Sequence, residues 1–181
     1  LNTALGEQGD KLRDLKAKQQ DYTQKLSSAR SMMERYKEAG KENTYEYQAL
    51  EKACGDYEQA LETLDVKIQT TIAEMEKMRE SYNERRRFVL HMLNEMGIPC
   101  FEPMGAFYVF PCIKEFGMTS DEFATRLLES KKLAVVPGTA FGDCGEGFLR
   151  ISYAYSLDNL KIAMERFKRF VEKLRAEKNN Q

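Results

Sequence analysis

The sequence predicts an α+β protein in which a long antiparallel helical hairpin, a coiled coil, runs into a small two-layer α/β domain. Three observations predict it. Apolar residues recur at heptad spacing with hardly a break from Leu5 to about residue 96. A polar interruption, Ala39-Gly40-Lys41-Glu42-Asn43-Thr44, falls inside that stretch. From Cys100 onward, short β-branched and aromatic runs alternate with two amphipathic helical patterns. Of 181 residues, 42% are hydrophobic and 31% charged, which suits a small domain plus an extended element better than one compact body. The expected boundary divides 1–72, the hairpin, from 73–181.

With Leu5 at heptad position a, later a positions hold Leu12, Leu26, Met33, Tyr47, Cys54, Leu61, Ile68, Met75 and Tyr82. The d positions hold Leu15, Tyr22, Ala29, Tyr36, Leu50, Tyr57, Leu64 and Met78. Lys, Glu, Gln and Asp flank this seam, so the stripe needs a partner helix. Gly40 and Asn43 fall on a and d, where glycine suits a helix stop and Asn43 or Thr44 suits the cap of the next helix. The spacing therefore predicts one helix from about 3 to 39, a turn near 40–43, and a second helix from about 44 to 96. Arms of about 36 residues, rising ~1.5 Å each, match in length at about 54 Å. The rival is an uninterrupted rod that dimerises. A seam rich in tyrosines and small residues also leaves room for a third helix or a second chain.

The second helix continues without a linker through Phe88, Val89, Met92, Leu93 and Met96, a broader apolar face suited to a sheet, until Gly97 and Pro99 stop it. Phe101 to Phe110 reads as a strand around Gly105. Thr119 or Ser120 caps a helix through about Lys131, with Asp121 and Glu122 favouring its N-terminal dipole. Leu133 to Val136 and Phe148 to Tyr153 read as strands. Ser156 or Asp158 opens a last helix whose Leu160, Ala163, Met164, Phe167, Phe170, Val171 and Leu174 form one stripe. The helices are expected to cover one face of the sheet.

A net charge of −1 offers no general field for nucleic acid or acidic membranes. Arg85-Arg86-Arg87 sits in a Glu-rich helical pattern and reads as a solvated face. Cys54, Cys100, Cys112 and Cys144 show neither a CxxC pair nor nearby histidines, so free thiols and no metal are expected. No apolar run approaches the roughly 20 residues of a membrane span, and no signal-peptide pattern opens the chain, so the default address is cytoplasmic. Leu1 in place of methionine suggests a processed or excised piece. The lone His91 stands between Leu90 and Met92 with no catalytic partner apparent, and reads as a packed or half-exposed helix residue.

The stretch with chemical content lies near the end. Leu149, Ile151 and Tyr153 alternate on one strand face, leaving Phe148, Arg150 and Ser152 on the other. A buried guanidinium must face an anion, and its planar fork suits a carboxylate. The same spacing also suits an arginine at a sheet edge with its head in water.

Gly105-Ala106-Phe107-Tyr108-Val109-Phe110-Pro111, Val135-Val136-Pro137-Gly138-Thr139-Ala140-Phe141-Gly142, and Gly145-Glu146-Gly147-Phe148-Leu149-Arg150-Ile151-Ser152-Tyr153-Ala154 together resemble the closing third of an aspartate-aminotransferase-like, pyridoxal-phosphate-dependent enzyme of fold type I. The resemblance covers roughly residues 73 to 176, with a splice expected near 68–74. It implies an enzyme that moves an amino group between an amino acid and a 2-oxo acid. It also implies that Arg150 grips the substrate α-carboxylate, and that Gly138 and Phe141 shape the mouth of the site.

The family also needs a lysine that links the cofactor covalently, in a serine-x-x-lysine type motif, and no serine of this sequence is followed by lysine at the third position. This chain alone is therefore expected to bind no pyridoxal phosphate and to be inactive. A coiled-coil partner or a homodimer, and a structural or adaptor role with the α/β part as a folded cap, form the rival reading. An engineered fusion and a truncated enzyme restored by its missing domain are further alternatives.

Overall fold

The computed structural model describes residues 2–179. The elements are α1 (Asn2–Glu38), α2 (Tyr45–Glu95), β1 (Tyr108–Val109), α3 (Ser120–Lys131), β2 (Val136–Pro137), β3 (Leu149–Ser152) and α4 (Leu157–Asn179). Short 3-10 turns occupy Lys114–Phe116, Gly138–Phe141 and Asp143–Gly145. The chain divides between Met78 and Arg79 into two compact units, and the division falls inside α2.

The first unit is a helical hairpin. Gly40 ends α1 with φ +66, a left-handed conformation that costs glycine little, while the Lys41 and Gly40 amides donate to the carbonyls of Tyr36 and Lys37. Thr44 caps α2, its Oγ1 accepting from the Tyr47 amide at 3.3 Å. Residues of the predicted a and d positions make the core of this unit: Leu15, Leu64 and Ile68 in one cluster, Leu26, Ala29 and Cys54 in the other. Gln19 meets Asp65 at 2.5 Å and Arg30 meets Glu58 at 2.7 Å. The partner's number falls as the first rises, so the arms run antiparallel. A hairpin, not a rod, buries this seam. Thr71, on a d position, is buried and satisfies its hydroxyl on the Lys67 carbonyl of its own helix.

In the second unit, Val89 and Leu93 of α2, and Met96 just beyond its end, are buried. The helix stops where the Gly97 and Ile98 amides turn back to the carbonyls of Asn94 and Leu93. Thr119 caps α3 by accepting from the Glu122 amide at 3.1 Å, and Ser156 caps α4 by accepting from Asn159 at 3.3 Å. The expected stripe of α4 holds: Leu160, Met164, Phe167, Phe170, Val171 and Leu174 are buried. Phe123 of α3 packs its ring 6.0 Å from Phe167 and 5.1 Å from Phe170.

The sheet is antiparallel throughout, in the order β1-β3-β2. Its strands are shorter than the apolar runs suggested. The run from Phe101 to Phe110 pairs only at Tyr108–Val109, because Pro103 and Gly105 hold the preceding segment in bends. The run from Leu133 to Val136 pairs only at Val136–Pro137, since Leu133 to Val135 form no ladder. Register places Tyr108 opposite Ser152 and Val136 opposite Arg150, so these four share one face. Val109, Ile151, Leu149 and Pro137 share the other, on which Val109 and Leu149 are almost wholly buried.

All four cysteines are free thiols. Among the described residues no helix is long and apolar enough to cross a membrane, and no group of His, Cys, Asp and Glu could hold a metal ion. His91 is more exposed than its sequence setting suggested, with Nε2 3.5 Å from Glu95 one turn on.

Candidate functional site

Arg150 stands in the middle of β3, the central strand, on the face opposite the buried Leu149. Its guanidinium carbon lies 4.9 Å from the Phe141 ring centre and 5.6 Å from that of Tyr108. Both rings are partly open to solvent, Phe141 at 50% and Tyr108 at 42% exposure. Phe110 completes an aromatic frame, 5.6 Å from Phe141 and 6.1 Å from Tyr108. Ring faces attract a cation without consuming its N–H donors, which point outward around the guanidinium edge. Among the described residues no carboxylate forms an ion pair with Arg150, so its fork remains available to an external anion.

Two loops hold this frame. Gly138 and Gly145 approach so closely that a Cβ on either would overlap the other's backbone. Thr139 Oγ1 donates to Asp121 at 2.9 Å, tying the turn that carries Phe141 to α3. Glu146 makes the tightest link. Its carboxylate accepts from the Ser120 amide at 2.7 Å, the Ser120 hydroxyl at 3.2 Å and the Gly147 amide at 3.0 Å. Those donors, chiefly the Ser120 amide, hold the Glu146 carboxyl below its ordinary value of 4.5, and Lys114 adds a favourable charge. Glu146 thus satisfies an otherwise free amide at the start of α3.

Beside this frame, a cleft of about 460 Å³ is lined by β2, β3 and α4. Leu133, Val135, Ile151 and Met164 make its walls apolar, and Arg150 and Ser152 also line it. Of the residues singled out in the sequence, Arg150 and Phe141 meet in the aromatic frame and Arg150 also lines the cleft, whereas His91 does not line it. Tyr108 belongs to the same frame. Phe107 instead packs against Tyr82, ring centres 4.9 Å apart. Glu146 carried no sequence signal, because its partner Ser120 lies 26 residues away.

The family described as aminotransferase class I and II matches residues 48–167, reaching upstream of residue 73 where the resemblance was expected to begin. An aspartate aminotransferase of Pyrococcus abyssi is 52% identical over 95 residues, covering 52% of this chain and 24% of that protein. Aromatic-amino-acid aminotransferase 2 of Thermococcus litoralis is 47% identical over 98 residues, covering 54% and 25%. The crystal structure of an aromatic aminotransferase from Pyrococcus horikoshii OT3 superposes with a TM-score of 0.57 at 38% identity, covering 68% of this chain and 36% of that one. The chain spans about a quarter of the length of the curated relatives it matches.

Proposed function

This chain belongs to the class I and II aminotransferase family, and on that premise we propose that residues 73–181 are the small-domain portion of a pyridoxal-phosphate-dependent transaminase, with Arg150 as the grip on the substrate carboxylate. One observation carries the reading: an arginine at the centre of a sheet, framed by two half-exposed rings, with no acid among the described residues to consume its charge. The ligand class is an amino acid or a 2-oxo acid, both of which present a carboxylate that two parallel N–H donors can hold. Phe141 and Tyr108 would restrain the guanidinium plane and limit the water that competes for it.

The residues gathered around Arg150 do not fit pyridoxal phosphate. No lysine lines the cleft, and Lys114, which lies 5.1 Å from the Phe148 ring, is exposed. A lysine nucleophile needs burial or a neighbouring cation to lower its pKa. We therefore assign no covalent step to this chain, and place cofactor chemistry in the greater part of the family's length, which this chain does not match.

The test has two arms. Titrating the 15N-labelled chain with 2-oxoglutarate should shift the Arg150 side-chain and Phe141 amide signals saturably. Arg150→Gln should abolish that response, and an undiminished response in the variant refutes the assignment. Adding pyridoxal phosphate followed by borohydride should leave no stoichiometric adduct, so a single modified lysine overturns the division of labour.

A second reading rests on the hairpin. Tyr22 and Tyr57 are only half-buried on its seam and Met32 is 53% exposed, a surface on which a further helix could pack. In that reading the hairpin is a coiled-coil adaptor or dimerisation element. A concentration-independent monomer mass in light scattering, with no helical partner recovered, argues against it.

A further inference from the structure

A second cleft, of about 360 Å³, lies away from Arg150 between α2 and the bent segment that precedes β1. Arg79, Tyr82, Asn83 and Arg86 line it from one helix. Their spacing of three, four and seven residues sets all four on a single helix face. Met104, Gly105 and Phe107 form the opposite wall.

Tyr82 is 9% exposed, and its hydroxyl is buried with no hydrogen-bond partner. Native proteins rarely leave such a group unsatisfied. The ring itself is fixed, with Phe107 on one side and the Arg85 guanidinium 5.1 Å from its centre. The neighbouring groups are rich in donors. Asn83 spends its carbonyl oxygen on Arg86, at 2.7 and 3.3 Å, which leaves its amide N–H groups for other acceptors. Arg86 engages Asn83 and Glu102, so two of its five N–H groups remain. Arg79 forms no ion pair among the described residues, and the Met104 and Gly105 amides donate to no backbone carbonyl. One carboxylate, Glu80, also lines the cleft and is paired with Arg87 at 2.7 Å, while Glu102 pairs with Arg86.

A cleft with a surplus of donors, two arginines and a buried hydroxyl lacking an acceptor selects an acceptor-rich, negatively charged ligand. We infer that it binds a small oxyanion of the phosphate type, free or as a monoester. Arg79 and Arg86 supply the charge, and Tyr82 and Asn83 fix the orientation. A tetrahedral oxyanion offers oxygens in divergent directions, which suits donors approaching from the helix on one side and from backbone amides on the other.

The probe is inorganic phosphate, titrated into the full 15N-labelled chain at constant ionic strength set with potassium chloride. Saturable shifts confined to residues 79–86 and 103–107 are expected. Arg79→Gln and Tyr82→Phe should each weaken binding about tenfold, the loss typical of one charge-assisted or buried hydrogen bond, with helical circular dichroism unchanged. Arg150→Gln should leave the affinity as it is, which separates this cleft from the site on β3. Phenyl phosphate in a parallel titration separates the two sources: tighter binding than inorganic phosphate assigns the cleft to a monoester, and equal or weaker binding assigns it to free phosphate. Shifts that never saturate, that centre on Arg150, or that persist undiminished in either cleft variant overturn the inference.

Discussion

Phe167 and Phe141 offer the same chemical change with opposite expected cost. Phe167 of α4 is fully buried, 6.0 Å from the Phe123 ring, in the layer where α3 and α4 meet. Truncation to alanine leaves a void beside Phe123 that adjoins the cleft Phe167 also lines, so about 3–5 kcal/mol should be lost. Phe141 is half-exposed, and its contacts are the Arg150 guanidinium at 4.9 Å and the Phe110 edge at 5.6 Å. Losing a partly solvated cation–π contact and one edge pair should cost about 1–2 kcal/mol. A global melting curve would blur the comparison, because the chain comprises two compact units and two-state treatment does not apply to the whole. Hydrogen exchange read on peptides covering residues 120–131 and 157–174 reports the second unit by itself. Phe167→Ala should raise exchange across both peptides, while Phe141→Ala should act mainly on residues 138–150. If Phe141→Ala proves the costlier change, the Arg150 face is the packed one and the proposed open site does not exist.

Two further outcomes follow from the loops that hold the frame. The Glu146 carboxyl is depressed in the folded chain, so its stabilisation is fully present above the unfolded value of 4.5. It fades as the pH falls through the lower folded value. The Ser120 and Gly147 amides should lose exchange protection over that acid range in the wild type, and Glu146→Gln should show weaker protection with no such pH dependence. An identical acid profile in the variant would refute the link. Gly138→Ala forces a Cβ onto the Gly145 backbone and should cost about 1–3 kcal/mol. Gly105→Ala meets nothing within 4 Å and should be close to neutral, within about 0.5 kcal/mol. Equal increases in hydrogen exchange across residues 138–150 for the two would remove the case for a rigid Phe141 loop.

The parts legible in the sequence are those whose physics is periodic or local. Heptad spacing named the residues that make both hairpin clusters, and Gly40, Thr44, Thr119 and Ser156 announced their ends and caps because such contacts reach only a few residues along the chain. The strands are shorter than the sequence implies, since β-branched and aromatic runs record an apolar setting without recording whether a neighbour's amides are in reach. Arg150 was legible as a charged residue inside an apolar strand. Its setting was not: the ring of Phe141 reaches it through a loop whose shape depends on Glu146 and Ser120, a pairing with no periodicity to betray it.

The heptad register shows where periodic reasoning stops. Ile68, Met75, Tyr82, Val89 and Met96 follow one another at intervals of seven, and all but Met75 are buried. Ile68 packs with Leu15 and Leu64 across the hairpin, whereas Tyr82 packs on Phe107 of the α/β unit. A spacing of seven thus says that something covers a residue, and stays silent about what does. Tyr82 makes the difference chemical. As a seam residue it would need only apolar neighbours, yet its hydroxyl is carried into a cleft wall beside two arginines. The buried phenol then demands an acceptor that no described residue supplies, and that demand, which no spacing rule encodes, is what singles out the cleft.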